Sequence, residues 1–200
     1  MLVIGITGPT GAGKTTALHC LEHMGGVIID CDALYHQMLK SDTALQEELY
    51  QAFGPVKDDA GDFDRKKLGA VVFADPQALS RLNDIVRPHI RRAVEKRLEQ
   101  AKQDGAPAAA VDGITIIESG LAESCDATVA VLAPVEDRIR RICLREGISE
   151  DYARSRVAAQ KDDLFFRENC DYVLYNDFTD AQAFARQAKE LFYNLINHNI

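Results

Sequence analysis

Leu2-Val3-Ile4-Gly5-Ile6-Thr7 runs directly into Gly8-Pro9-Thr10-Gly11-Ala12-Gly13-Lys14-Thr15-Thr16. The first six residues are an apolar run of strand length. Gly8–Thr15 then fit the pattern G-x-x-x-x-G-K-[ST] ahead of a helical stretch. Glycines let the backbone curl until several N–H groups face one anion, and the positive end of the following helix adds to that field. Lys14 can reach the β- and γ-phosphates of a nucleotide, and the Thr15 hydroxyl can ligate Mg2+. A plain turn between a strand and a helix would need the glycines, but not Lys and Thr at these two places. The stretch predicts an α/β fold with a triphosphate site built on Gly8, Gly11, Ala12, Gly13, Lys14, Thr15 and Thr16.

Moving outward, short apolar runs recur at Val27–Asp30, Ala108–Asp112, Ala127–Leu132 and Tyr172–Tyr175, with helical patterns between them. That alternation predicts a five-stranded parallel sheet flanked by helices. Leu79, Leu82, Val86, Ile90, Val94 and Leu98 recur at steps of three and four, which marks one long helix starting at Asp75-Pro76. Thr179-Asp180-Ala181-Gln182 has the form of a capping box and opens a C-terminal helix. Gly54–Asp64 reads as a long loop. The stretch after Asp42 is too long for a simple crossover, so a helical insertion is expected at about 41–102, in a core of about 1–40, 103–137 and 168–200. A second excursion, about 138–167, holds eight of the 23 Lys and Arg residues.

Composition narrows the function classes. With 200 residues and 46% hydrophobic content the chain can bury a core without disulfides or a structural metal. Its net charge of −8 argues against nucleic acid and anionic membranes, which select basic surfaces, and leaves a small phosphorylated ligand held by a few local cations. The five cysteines form no CxxC pair, as expected of free thiols in a reducing compartment. No basic segment precedes the first apolar run, and no apolar run approaches the ~20 residues of a membrane span. A cytoplasmic protein is expected.

Candidates for the acceptor side follow. Asp30 and Asp32 stand at and just past the end of the second strand, on the edge where open α/β sheets bind ligands. If that strand neighbours the first, either could take a proton from an acceptor hydroxyl, and either could cap the helix that follows. Asp112 closes an apolar run in the manner of a Mg2+-supporting aspartate. Arg138, Arg141 and Arg145 share a helix face, and Arg154 and Arg156 follow. Each could close over phosphates or merely pair with Glu146, Glu150 and Asp151 at the surface. His19-Cys20-Leu21-Glu22-His23 fits the zinc motif H-x-x-E-H, but it lies on the helix behind the phosphate loop with no other feature of a peptidase. No Asn-Lys-x-Asp guanine reader is present. A small-molecule kinase fits the length best. The alternatives are a nucleoside-monophosphate kinase or other small-metabolite kinase, and a nucleotide sensor without turnover.

Further motifs sharpen this. The chain offers Ile29-Asp30-Cys31-Asp32, Phe53-Gly54, Arg65…Leu68, Leu82-Asn83…Pro88, Ile116-Ile117-Glu118, Arg141…Arg145, Arg156…Gln160 and Asn176 after Tyr175. In this order it resembles the dephospho-CoA kinase family over residues 1 to about 195. Three departures stand out: Gly-Pro-Thr-Gly-Ala-Gly in place of Gly-Gly-Ile-Gly-Ser-Gly, Arg87 where His often precedes Pro88, and Ile114-Thr115-Ile116 for Pro-Leu-Leu. The resemblance implies a P-loop kinase fold and ATP- and Mg2+-dependent phosphorylation of the ribose 3′-hydroxyl of dephospho-CoA, the last step of coenzyme A synthesis. It also implies Asp32 as base, Lys14 and Thr15 on phosphate and Mg2+, Arg141 on the phosphoryl charge and Asn176 near the adenine. The insertion would then bind the CoA moiety, and about 138–167 would be a lid.

Overall fold

Five strands form the sheet of the computed structural model, which describes residues 1–54, 56–58, 63–177 and 180–197. They are β1 (Leu2–Thr7), β2 (Val27–Asp30), β3 (Ala108–Asp112), β4 (Ala127–Leu132) and β5 (Tyr172–Tyr175). The sheet is parallel, in the order β2-β3-β1-β4-β5. Ile6 of β1 lies opposite Asp112 on one side and Val129 on the other. Central strands of such a sheet are covered on both faces and need unbroken apolar runs. β3 and β4 supply them with almost every residue buried, whereas β2 and β5, four residues each, take the edges. This order corrects one conditional expectation. The neighbour of β1 on that side is β3, because the continuous Ala108–Val111 run suits an interior position that the half-exposed Val27–Asp30 does not.

Nine α-helices are assigned among the described residues: α1 (Lys14–His23), α2 (Cys31–Ser41), α3 (Thr43–Phe53), α4 (Arg65–Val72), α5 (Pro76–Gln103), α6 (Val135–Glu146), α7 (Glu150–Ala158), α8 (Asp163–Asn169) and α9 (Ala181–Asn197). The chain divides into two compact units, Met1–Ile29 with Leu98–Ile200, and Asp30–Arg97. In the first, α1 and α9 pack together, and Ile4, Ile6, Leu21, Val129, Val131, Phe184 and Phe192 form its main core. Ile139, Ile142, Ala153 and Val157 make a smaller core between α6 and α7.

The second unit is helical. Leu34, Met38, Leu39, Leu45, Leu49, Val56, Leu68, Val72, Ile90 and Val94 are its buried apolar residues. His89 is buried in it, with Nδ1 3.2 Å from the Asp42 carboxylate and Nε2 3.1 Å from that of Glu48. Long helix α5 starts where Asp75-Pro76 predicts, and Asp75 accepts from the Gln77 amide. At the C-terminal helix Asp180 accepts from the Gln182 amide, while Thr179 of the expected capping box lies outside the described residues. Of the Gly54–Asp64 loop, 55 and 59–62 also lie outside them, and Lys57 pairs with Phe63 in an isolated antiparallel bridge. No helix among the described residues is long and apolar enough to cross a membrane.

Candidate active site

β1 delivers the chain to the curl Gly8–Thr15, and α1 leaves it. Thr7, fully buried, donates its hydroxyl to the Ile114 carbonyl and so fixes the entry. Gly8 has φ 134°, and a Cβ there would fall 2.1 Å from the carbonyl oxygen of Val131 in β4, so only glycine fits. Gly13, at φ 108°, is the N-cap of α1 and brings no side chain to its first amides. An uncapped helix start leaves N–H groups for another acceptor, which is the role the motif assigns to phosphate.

Other elements tie the back of the curl down. The Nδ2 of buried Asn176, just past β5, donates to the Ala12 carbonyl at 2.9 Å. Arg141 of α6 reaches the Gly11 and Ala12 carbonyls at 3.2 and 3.4 Å. A trans peptide points its C=O and N–H opposite ways. Holding the Ala12 carbonyl to these donors therefore turns the Gly13 amide the other way. Lys14 extends its ammonium back along the loop to the Gly8 carbonyl, 2.9 Å away. Thr15 is exposed at the start of α1, and Thr16 packs its amide against the Gly13 carbonyl.

Different arginines of the basic excursion take the two roles left open for them. Arg138 and Arg141 turn to the phosphate loop, Arg138 donating to the Thr10 carbonyl and to Gln160. Arg167 lies over the Tyr175 ring, and the other four arginines find surface carboxylates. Arg145 and Arg156 pair with Glu146, Arg154 bridges Glu136 and Glu150, and Arg140 pairs with Asp137. The Arg154 fork holds the Glu136 carboxyl below its usual range, and Arg145 with Arg156 does the same to Glu146. The shared helix face thus splits after its second arginine. Thr10 was missed as a site residue. Its hydroxyl and amide both engage Gln160, 150 residues away, a pairing that only the folded chain brings about.

Of the two aspartates, one takes the capping role. Asp30 caps α2, its Oδ1 accepting from the Ala33 amide at 2.9 Å. Asp32, exposed in the first turn of α2 and part of the Asp30–Arg97 unit, is released from capping. On α1, the Nδ1 of His23 lies 2.7 Å from the His19 carbonyl, and no cluster of three His, Cys, Asp or Glu suited to a metal occurs among the described residues. The thiols are poor nucleophiles where burial dominates: it pushes Cys125, beside Asp126, and Cys170, near Asp171, each up to about 11.

A parallel sheet with this loop is common to many phosphate-handling proteins, so comparison decides the family. Dephospho-CoA kinase is the family that matches, over residues 2–182. The chain belongs to the dephospho-CoA kinase family. It is 33% identical over 192 residues to the dephospho-CoA kinase of Corynebacterium diphtheriae, covering 96% of each chain. The crystal structure of TT1252 from Thermus thermophilus superposes with a TM-score of 0.80 at 31% identity, covering 97% of each chain. Dephospho-CoA kinase from Campylobacter jejuni, 21% identical, shares the fold at a TM-score of 0.72 over 99% of this chain and 98% of that one. Membership in the dephospho-CoA kinase family makes the chain a phosphotransferase of the final step of coenzyme A biosynthesis.

Proposed function

We propose that this chain transfers the γ-phosphoryl group of ATP to the ribose 3′-hydroxyl of dephospho-CoA by direct in-line displacement. The observation that carries the reading is the curl Gly8–Thr15, with its glycines in positive-φ geometry and the Gly11 and Ala12 carbonyls tied back by Arg141 and Asn176. Its N–H groups and Lys14 receive the triphosphate. Asp32 accepts the proton as the 3′-oxygen bonds to the γ-phosphorus and the bond to the leaving ADP breaks. Arg141 gives one side of its guanidinium to the loop and offers the rest to the charge on the transferring group. Asn176 supports the loop beside the adenine. The helical Asp30–Arg97 unit receives the CoA moiety, and the segment about 138–167 serves as lid, excluding water and so suppressing ATP hydrolysis.

The residues suit Mg2+. Thr15 offers a hydroxyl, and Asp112 a carboxylate on the strand beside β1, both hard oxygen donors. Bound with the nucleotide, the ion would neutralise charge on the β- and γ-oxygens. The five cysteines are free, which accords with a cytoplasmic setting.

Incubation with ATP and dephospho-CoA, followed by mass analysis, should show one phosphate gained by the acceptor. Phosphate appearing on a nucleoside monophosphate but never on dephospho-CoA would reverse the reading. ATP bound with no transfer to any acceptor would make the chain a sensor.

A further inference from the structure

Arg138, in the first turn of α6, is only 2% exposed, a rare environment for an arginine. Its Nε donates to the Thr10 carbonyl at 3.1 Å and its Nη2 to Gln160 Oε1 at 2.9 Å. Both acceptors are neutral. No carboxylate forms an ion pair with it among the described residues. Asp163 acts on it from a distance, and burial still pulls the guanidinium below its usual range. A buried charge without an opposite charge is costly to hold.

The anion seat is close by. Thr10 and Gly11 belong to the phosphate loop, and a Cβ on Gly11 would fall 2.8 Å from the Arg138 carbonyl oxygen. Gln160 completes the arrangement, accepting from the Thr10 amide at 3.1 Å and donating to its hydroxyl at 2.9 Å. All three polar groups of Thr10 are thus taken up by Arg138 and Gln160.

We propose that Arg138 is a positioning residue of the nucleotide site, whose buried positive charge is completed by the triphosphate and acts on it through the loop backbone. This role rests on the triphosphate reading of Gly8–Thr15, and it differs measurably from that of a structural arginine. A merely structural arginine would lower the stability of the ligand-free protein when removed. A counter-charge that waits for its anion leaves that stability unchanged or raises it on removal, and what suffers is the affinity for phosphates.

The test compares wild type with Arg138→Gln, which keeps a donor but loses the charge, and Arg138→Lys, which keeps the charge but loses the fork. ATP and adenosine are titrated calorimetrically into each protein, and each is melted without ligand. In Arg138→Gln the ligand-free protein should melt at or above the wild-type temperature and bind ATP about tenfold more weakly or worse, with adenosine within about twofold. Arg138→Lys should retain ATP affinity within about threefold. ATP affinity within about twofold of wild type in Arg138→Gln, an equal loss for ATP and adenosine, a lower melting temperature, or failure to fold would each overturn the proposal. Wild type that binds no ATP would instead bring down the triphosphate reading, and this inference with it.

Discussion

A Cβ added to Gly13 would sit 2.4 Å from Nδ2 of Asn176, at a φ of 108° that L-residues rarely adopt. Asn176 cannot retreat without releasing the Ala12 carbonyl it holds. Gly13→Ala is therefore expected to lose about 2–3 kcal/mol of stability, read from urea unfolding, with ATP affinity falling in parallel. Asp32, the proposed base, belongs to the opposite kind of residue: exposed and relieved of capping by Asp30. Asp32→Asn should lower kcat by ~10²-fold or more while ATP affinity changes by only a few-fold, measured by steady-state kinetics and nucleotide titration. An unchanged kcat would remove Asp32 from the base role. Lys14→Ala should damage both quantities, since on the proposed reading the ammonium would contact the triphosphate before and during transfer.

At the scale of elements, acidic side chains do local work that the net charge conceals. Asp30, Asp42, Asp64 and Asp162 each cap a helix through an oxygen that accepts from an amide of its first turn. Asp42 also faces His89 on α5, so it joins the start of α3 to a buried part of the long helix. Burial pushes the Asp42 carboxyl up, but the Leu45 amide, His89 and the Ala44 amide together outweigh it and hold it below the usual range. A carboxyl depressed in the folded state stabilises above its unfolded value and loses that contribution as the pH falls through its folded value. Asp42→Ala should therefore cost about 1 kcal/mol at neutral pH, and the gap from wild type should narrow as the pH drops below ~4. Urea unfolding across that range checks both statements. Such elements were legible because they depend on neighbours in sequence: apolar runs fixed the strands, and Gly8–Thr15 the loop. Strand order and the Thr10–Arg138–Gln160 network were not, because they depend on which distant segments meet. A local pattern could only leave Arg138 and Arg145 equivalent, and burial separates them.

Across the whole molecule, the odd cysteine count marked free thiols, and folding decides how inert they are. Cys125 follows the turn before β4, and Cys170 lies between α8 and β5. Burial is the main cause lifting each to about 11, with Asp126 and Asp171 adding to it. The sign is opposite to that of Asp42. A thiol raised in the folded state is protonated in both states at neutral pH, and it counts against folding once the unfolded chain ionises. Stability linked to these two groups is complete below the unfolded value of ~8.5 and is lost as the pH climbs toward ~11. The Cys125→Ala, Cys170→Ala double variant removes both groups, so its unfolding free energy should decline less steeply than that of wild type between pH 9 and 11. Every other titratable group is common to both proteins and cancels in the difference. Parallel slopes would show that neither thiol is held protonated by the fold. The same protection predicts slow alkylation of both cysteines at pH 8 in the folded protein and rapid alkylation in urea, read by mass analysis of the labelled peptides.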